Sequence, residues 1–249
     1  MYHASSLVEG RLRHLGVPAA VLREQLAALH ERGYRLVGLT EALSLHATAP
    51  SVAVTFDDAY GDFLYAALPI LEELDARATI YVPTGHVGGQ ARWLGDEASA
   101  LPPLLTWEEL RRCHASGRVE IGSHTISHRE LDILRGEALR RELEDSKEHL
   151  ERRLGITVSS LCYPHGYHSR SVRAAVQAAG YSNACEVGRR LRAPVHRWAV
   201  SRLAVGPDLD GAAVVDQVRR GGPRLAPAVK RVLRPPWRLV RAARAAWTP

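Results

Sequence analysis

The sequence predicts an α/β fold built on parallel strands, as an open sheet or a barrel. Three observations carry that prediction. Short apolar, β-branched runs alternate with amphipathic helical stretches through about 205 residues. Glycines and capping residues punctuate the helical stretches at their ends. The polar residues with chemical potential stand directly after strands, where α/β folds collect their sites. No repeat of 20–50 residues and no low-complexity tract interrupts this body.

The elements follow in order. A helix is predicted over 18–33, with Val21, Leu22, Leu26 and Leu29 at helical spacing, Pro18 in the first turn and Gly33 at the end. Strands are predicted over 35–39 and, more strongly, over 51–56. Residues 61–75 form a helical pattern with Leu64, Leu68, Leu71 and Leu74 on one face, and Pro69 is expected to kink or break it. Residues 78–82 form the next strand, followed by a Gly- and Pro-rich loop over 83–105. Thr106-Trp107-Glu108-Glu109 is a capping box that starts a helix to about Ala115. A strand over 119–122 precedes a long charged helix over 137–154, ended by Gly155. Residues 161–163 are a strand, Ser169 caps a helix to Ala179, and late strands cover 181–185 and 202–205.

The chain has 249 residues, the size of one enzyme domain with room for a large core. At 46% hydrophobic and 24% charged residues it is an average globular mixture, which excludes wholesale disorder. No apolar run is long enough for a transmembrane helix. The first six residues lack a basic stretch followed by an apolar one, so no secretory leader is expected. Cys113, Cys162 and Cys185 are widely spaced and contain no CxxC pair, the pattern of reduced thiols rather than a disulfide framework.

The net charge of +6 is unevenly placed. Nine basic residues and no acidic ones follow Asp216, so the rest of the chain carries 24 basic against 27 acidic residues. The expected division is a catalytic body over 1–207 and a basic tail over 208–249. Arg, Trp and Leu interleave in that tail, around Pro235-Pro236, a composition suited to an anionic membrane surface. Nucleic acid is not expected as a partner, because no recognition motif accompanies the charge. A cytoplasmic protein, held peripherally at the inner face of the membrane, is the expected location.

Three segments carry the chemistry. Asp57 and Asp58 follow the strand over 51–56, and two adjacent carboxylates there call for a compensating cation. His124 and His128 stand at i and i+4, where one helical turn would place both imidazoles on one face. An Asp with two His gives three ligands and leaves positions open for water and substrate, the pattern of a catalytic metal site. Such a metal acidifies bound water and polarises a carbonyl. The third segment, Tyr163-Pro164-His165-Gly166, can turn a backbone N–H outward toward an oxyanion.

Together, Thr55-Phe56-Asp57-Asp58, Ser123-His124-Thr125-Ile126-Ser127-His128 and Tyr163-Pro164-His165-Gly166 resemble the polysaccharide deacetylases of the carbohydrate-esterase type, over about residues 1–207. The resemblance implies a distorted (β/α) barrel of about seven parallel strands. It implies Asp57 as catalytic base, with metal-bound water as nucleophile. It implies Asp58, His124 and His128 as ligands of a divalent metal: zinc first, with cobalt, nickel and manganese as alternatives. It implies the His165 amide as oxyanion donor. The reaction is then removal of an N-acetyl group, less often an O-acetyl group, from a sugar of a cell-surface glycan or its precursor. Alternatives are hydrolysis of another non-peptide amide on the same fold, or a catalytically inactive glycan-binding module.

The chain departs from the family pattern twice. Cys162 stands where the family carries an arginine near the base, and Arg202 is the candidate to replace it from a neighbouring strand. The late Leu-x-His segment that supplies a general acid is missing. Met1-Tyr2-His3 resembles the circularly permuted members, which carry that acid near the N-terminus, so His3 is the expected acid. Trp93, in the long loop, is a candidate to stack on a sugar ring. Tyr163, Pro164 and Gly166 are expected to border the substrate.

Overall fold

The computed structural model describes residues 1–44, 50–188 and 190–222. Helix α1 (Ala19–Glu31) leads into strand β1 (Arg35–Val37) and a short helix α2 (Leu39–Ser44). Strands β2 (Ser51–Ala53) and β3 (Thr55–Phe56) are separated by Val54 alone. Helix α3 (Ala67–Glu73), strand β4 (Ala78–Val82), helix α4 (Trp107–Ala115) and strand β5 (Val119–Ser123) follow. Helix α5 (Gly136–Leu154), strand β6 (Ser160–Cys162), helix α6 (Arg170–Ala178), strands β7 (Asn183–Gly188) and β8 (Val200–Leu203) and helix α7 (Gly211–Arg219) complete the described chain.

Strands β3 to β8 form one sheet in chain order, every neighbouring pair parallel, while β1 and β2 form a separate parallel pair. All five residues of β4 are buried, as expected of a parallel strand covered on both faces. The sheet curls until its edges meet across the first residues of the chain. The Met1 nitrogen donates to the Leu203 carbonyl at 2.7 Å, and Val205 N–H donates to the Met1 carbonyl at 3.1 Å. On the other side, Tyr2 N–H donates to Thr55 at 2.8 Å, and Asp57 N–H donates to Tyr2 at 2.9 Å. Residues 1–2 thus add a short seventh stave between β8 and β3. The resulting architecture is a distorted (β/α) barrel of seven parallel staves, as the resemblance implies.

Local chemistry explains most boundaries. The Thr106 hydroxyl accepts from Glu109 N–H at 3.2 Å, and the Glu109 carboxylate accepts from Thr106 N–H at 2.8 Å, so the capping box starts α4. Ser169 caps α6 by accepting from Val172 N–H at 3.2 Å. Gly155 ends α5 at φ 70°, a conformation that costs glycine nothing.

Three elements differ from expectation. Strand β1 stops at Val37, and Leu39 starts a helix instead of ending a strand. The helical pattern over 61–75 breaks at Leu64–Ala66. Pro69 does not break it: it lies in the first turn of α3, where no backbone N–H is needed for an intrahelical bond. Helix α7 falls inside the segment expected to be a tail. Asp210 caps it, Val214 and Val215 are buried in the main core, and its Gly211 approaches α1 so closely that a Cβ there would meet the Ala28 Cβ at 2.6 Å. The core therefore extends past residue 207. The remaining tail residues, 223–249, and with them the expected membrane contact, lie outside the described residues. Among the described residues, no helix is long and apolar enough to cross a membrane.

Candidate active site

The site lies where β3, β5, β6 and β8 present their ends and inward side chains. Asp57 and Asp58 follow β3 directly. Asp58 and Ala59 take positive φ values of 70° and 58°, a left-handed turn that costs non-glycine residues energy. That turn sends the two adjacent carboxylates to different partners.

Asp57 is buried and faces Arg202 of β8. Two parallel hydrogen bonds join them, from the two guanidinium nitrogens to the two carboxylate oxygens, each at 2.7 Å. The same guanidinium donates to the Thr55 hydroxyl at 2.9 Å, the Cys162 sulfur at 3.0 Å and the Glu186 carbonyl at 3.4 Å. Burial pushes the Asp57 pKa up, but the Arg202 charge and its hydrogen bonds outweigh that and hold it well below the usual carboxylate range. Cys162 donates to Asp57 at 3.6 Å and stays a thiol, because burial pushes its pKa up.

Asp58 faces the histidines. Its Oδ1 lies 3.4 Å from His124 Nε2 and 3.3 Å from His128 Nε2. All three side chains are buried, and one ligand atom from each lies within 4.8 Å of the others. Asp58 Oδ1 is buried without a hydrogen-bond partner. One carboxylate and two imidazole nitrogens, converging around an unsatisfied oxygen, are a donor set suited to zinc or a similar divalent ion. His124 is set for that role: its Nδ1 donates to the Cys162 carbonyl at 2.9 Å, which turns Nε2 toward Asp58. Burial lowers His128 to about 4, so its ring is neutral and its lone pair available at neutral pH. Burial also lowers His124, but the adjoining Asp58 and Asp57 carboxylates raise it further, so protons compete with a cation for that nitrogen.

The histidines do not sit on a regular helix. His124 follows β5, and Thr125 and His128 take positive φ values of 69° and 60°. The loop is held by Glu142 of α5, whose carboxylate accepts from Ile126 N–H at 2.8 Å, Ser127 N–H at 3.0 Å and the Ser127 hydroxyl. His128 N–H donates to the Thr125 hydroxyl at 3.2 Å. Glu142, Thr125 and the buried Tyr60 behind Asp58 were not legible as site residues. Glu142 in particular reads as one charge among many on a charged helix.

The other expected residues divide. His3 feels the charges of Asp58, Asp57, Arg202 and His124; burial lowers its pKa, with the two carboxylates opposing. His165 has φ 56° within the Pro164–Gly166 turn, and its ring meets that of His128 edge-on at 4.7 Å. Gly166 at φ 73° abuts β7 so closely that a Cβ would meet the Val187 nitrogen at 2.8 Å. Tyr163 is not a substrate contact through its side chain: it is fully buried, and its hydroxyl donates to the Trp198 carbonyl at 2.9 Å. Pro164 and Gly166 are buried as well, so they shape the turn rather than offer side-chain surface. Trp93 stacks on His128 with centroids 4.2 Å apart and planes 20° apart, so one ring face is already occupied.

A parallel barrel that gathers an ionised carboxylate and a three-donor cluster at the ends of its strands has the layout of a hydrolase. The comparisons with known proteins give that class its name. The chain belongs to the polysaccharide deacetylase family, whose match spans residues 45–184. It is thereby a carbohydrate deacetylase. A Bacillus subtilis (strain 168) protein named for polysaccharide deacetylation, YxkH, is 29% identical over 221 residues, covering 86% of this chain and 72% of its own length. The poly-β-1,6-N-acetyl-D-glucosamine N-deacetylase of Escherichia coli (strain K12) is 32% identical over 123 residues, covering 45% of this chain and 18% of its own. Among solved structures, the Streptococcus pyogenes deacetylase PplD, in complex with acetate, shares the fold. Its TM-score is 0.74 at 23% identity, covering 90% of this chain and 96% of PplD.

Proposed function

We propose that the protein is a metal-dependent de-N-acetylase of an N-acetylated sugar in a cell-surface glycan or its precursor. The observation that carries this reading is the buried, unpartnered Asp58 Oδ1 between two imidazole nitrogens, beside a separately held Asp57.

Asp58, His124 and His128 would hold the ion. When bound, a divalent cation supplies Lewis-acid polarisation of the acetyl carbonyl and acidification of water. Asp57 accepts the proton of the attacking water. Arg202 keeps it ionised and aimed, and lowers its proton affinity. A base of low proton affinity readily passes its proton on. His3 is the receiver in this proposal: burial makes its ring neutral, and the Asp57 charge reaches it. His3 then protonates the sugar nitrogen as the C–N bond breaks, since an amide anion is a very poor leaving group. The His165 amide, in the Pro164–Gly166 turn beside His128, is the donor proposed for the tetrahedral oxyanion.

The test joins metal analysis to acetate release from β-1,6-linked N-acetylglucosamine oligomers. Wild type is expected to carry about one divalent ion per chain and to release acetate. Asp58→Ala is expected to lose both. Asp57→Asn is expected to keep the metal while slowing release by about 10²–10⁴-fold. A wild type that takes up no divalent metal, even after reloading, would overturn the reading.

A further inference from the structure

The two histidines of the donor set are held in different ways. His124 has a hydrogen bond on the nitrogen remote from Asp58, as metal-binding histidines usually do. His128 has none: its Nδ1 is buried without a hydrogen-bond partner. Rings surround it instead. Trp93 lies flat on it at 4.2 Å, and His124 and His165 meet it edge-on, each at 4.7 Å. The Trp93 ring is itself braced by the edge of His86 at 5.0 Å. With no hydrogen bond to fix its rotation, the imidazole plane is set by what lies flat against it.

We propose that Trp93 is a positioning residue for His128, fixing by stacking the ring orientation that a hydrogen bond fixes for His124. The proposal rests on the metal-site reading above. By carrying Trp93, the 83–105 loop becomes part of the support of the donor set as well as a border of the cleft. The sugar-stacking role expected for Trp93 would need the ring face that His128 occupies, or the opposite face alone.

The test compares wild type, Trp93→Phe and Trp93→Leu by zinc affinity in chelator competition, by the cobalt absorption spectrum, and by kcat and KM at saturating metal. Phe keeps a flat face; Leu keeps apolar bulk without one. Trp93→Leu is expected to weaken zinc binding by about 10–100-fold, the usual cost of losing an outer support of a metal ligand. It should also shift the cobalt spectrum and leave KM for the oligomer unchanged. Trp93→Phe is expected to restore most of the affinity. Unchanged zinc affinity in Trp93→Leu overturns the proposal, as does equal loss in both variants. A raised KM with unchanged metal affinity would make the ring a sugar platform instead. Should Trp93→Leu fail to fold, zinc titration of wild-type fluorescence, with Trp93→Phe as background, carries the test. No change in Trp93 emission on zinc binding then overturns the proposal. A wild type that binds no zinc sinks the metal-site reading itself, an outcome distinct from the others.

Discussion

The two neighbouring carboxylates belong to two differently built halves of one site. On the Asp57 side every strong polar group has a partner: Arg202 gives the carboxylate two bonds and satisfies Thr55 and Cys162 as well. On the Asp58 side three buried polar atoms lack one: Asp58 Oδ1, His128 Nδ1 and the Tyr60 hydroxyl. Buried polar atoms are normally paired, so a cluster of exceptions marks a place built around a guest. The finished half fixes a charge in position, and the unfinished half is the one proposed to hold a cation. One residue of separation suffices because the left-handed turn at Asp58 and Ala59 points consecutive side chains apart.

The difference can be broken from the finished side first. Arg202→Met leaves Asp57 buried and uncompensated, and should cost about 3–5 kcal/mol in urea unfolding. Adding Asp57→Asn to that variant should recover most of the loss. Full stability in Arg202→Met alone would show that the pair is not the structural anchor described.

Acid acts on the same pair more gently. Asp57 has a depressed pKa in the folded protein, so its contribution is complete above the ordinary carboxylate value of about 3.9. It is lost as pH falls from there through the folded value. The urea midpoint should therefore drop between pH 5 and pH 2.5, and drop less in the Asp57→Asn/Arg202→Met double variant. Parallel pH profiles for the two proteins would contradict this assignment.

The smallest effect is expected on the unfinished side. Asp58→Asn removes a buried charge whose Oδ1 has no hydrogen bond to lose. Metal-free stability should fall, since burial is outweighed by the imidazoles, which hold Asp58 well below the usual carboxylate range. The fall should be less than in Arg202→Met, because neutral imidazoles are left behind rather than an unpaired buried charge. Zinc is expected to raise the thermal stability of wild type, and that gain should vanish in this variant. A loss as large as that of Arg202→Met would erase the distinction between the halves.

Much of this arrangement is legible in the chain. Asp57, Asp58 and His124 stand directly after strands, with His128 in the loop that continues from His124, and strand ends are where a parallel barrel gathers chemistry. The expectation that Arg202 reaches Asp57 needed the resemblance, because 145 residues separate them and no local pattern links them. Tyr163 was misplaced because its neighbours form a turn at the cleft while its own side chain points into the core. Helix α7 was hidden by composition: the arginines that follow Asp216 drew its residues into the tail, although Val214 and Val215 are core. The support from Glu142 and the stacking of Trp93 depend on loop geometry, on positive φ at Thr125 and His128, which hydrophobic periodicity does not encode.

The seam through residues 1–2 carries a consequence for the order of assembly. Within the sheet from β3 to β8, each strand pairs with its neighbour in the sequence, so those contacts can form as the chain lengthens. The seam is different: Met1 waits for Leu203, 202 residues away. Asp57 directly follows β3 and Arg202 lies on β8, the two strands that this seam joins. Long-range closures are the slow steps of folding. A chain emerging from the ribosome would therefore hold its Asp58, His124 and His128 before its Asp57 had met an arginine. The Asp58, His124 and His128 cluster would come together during synthesis, and Asp57 would gain its arginine only when β8 arrives.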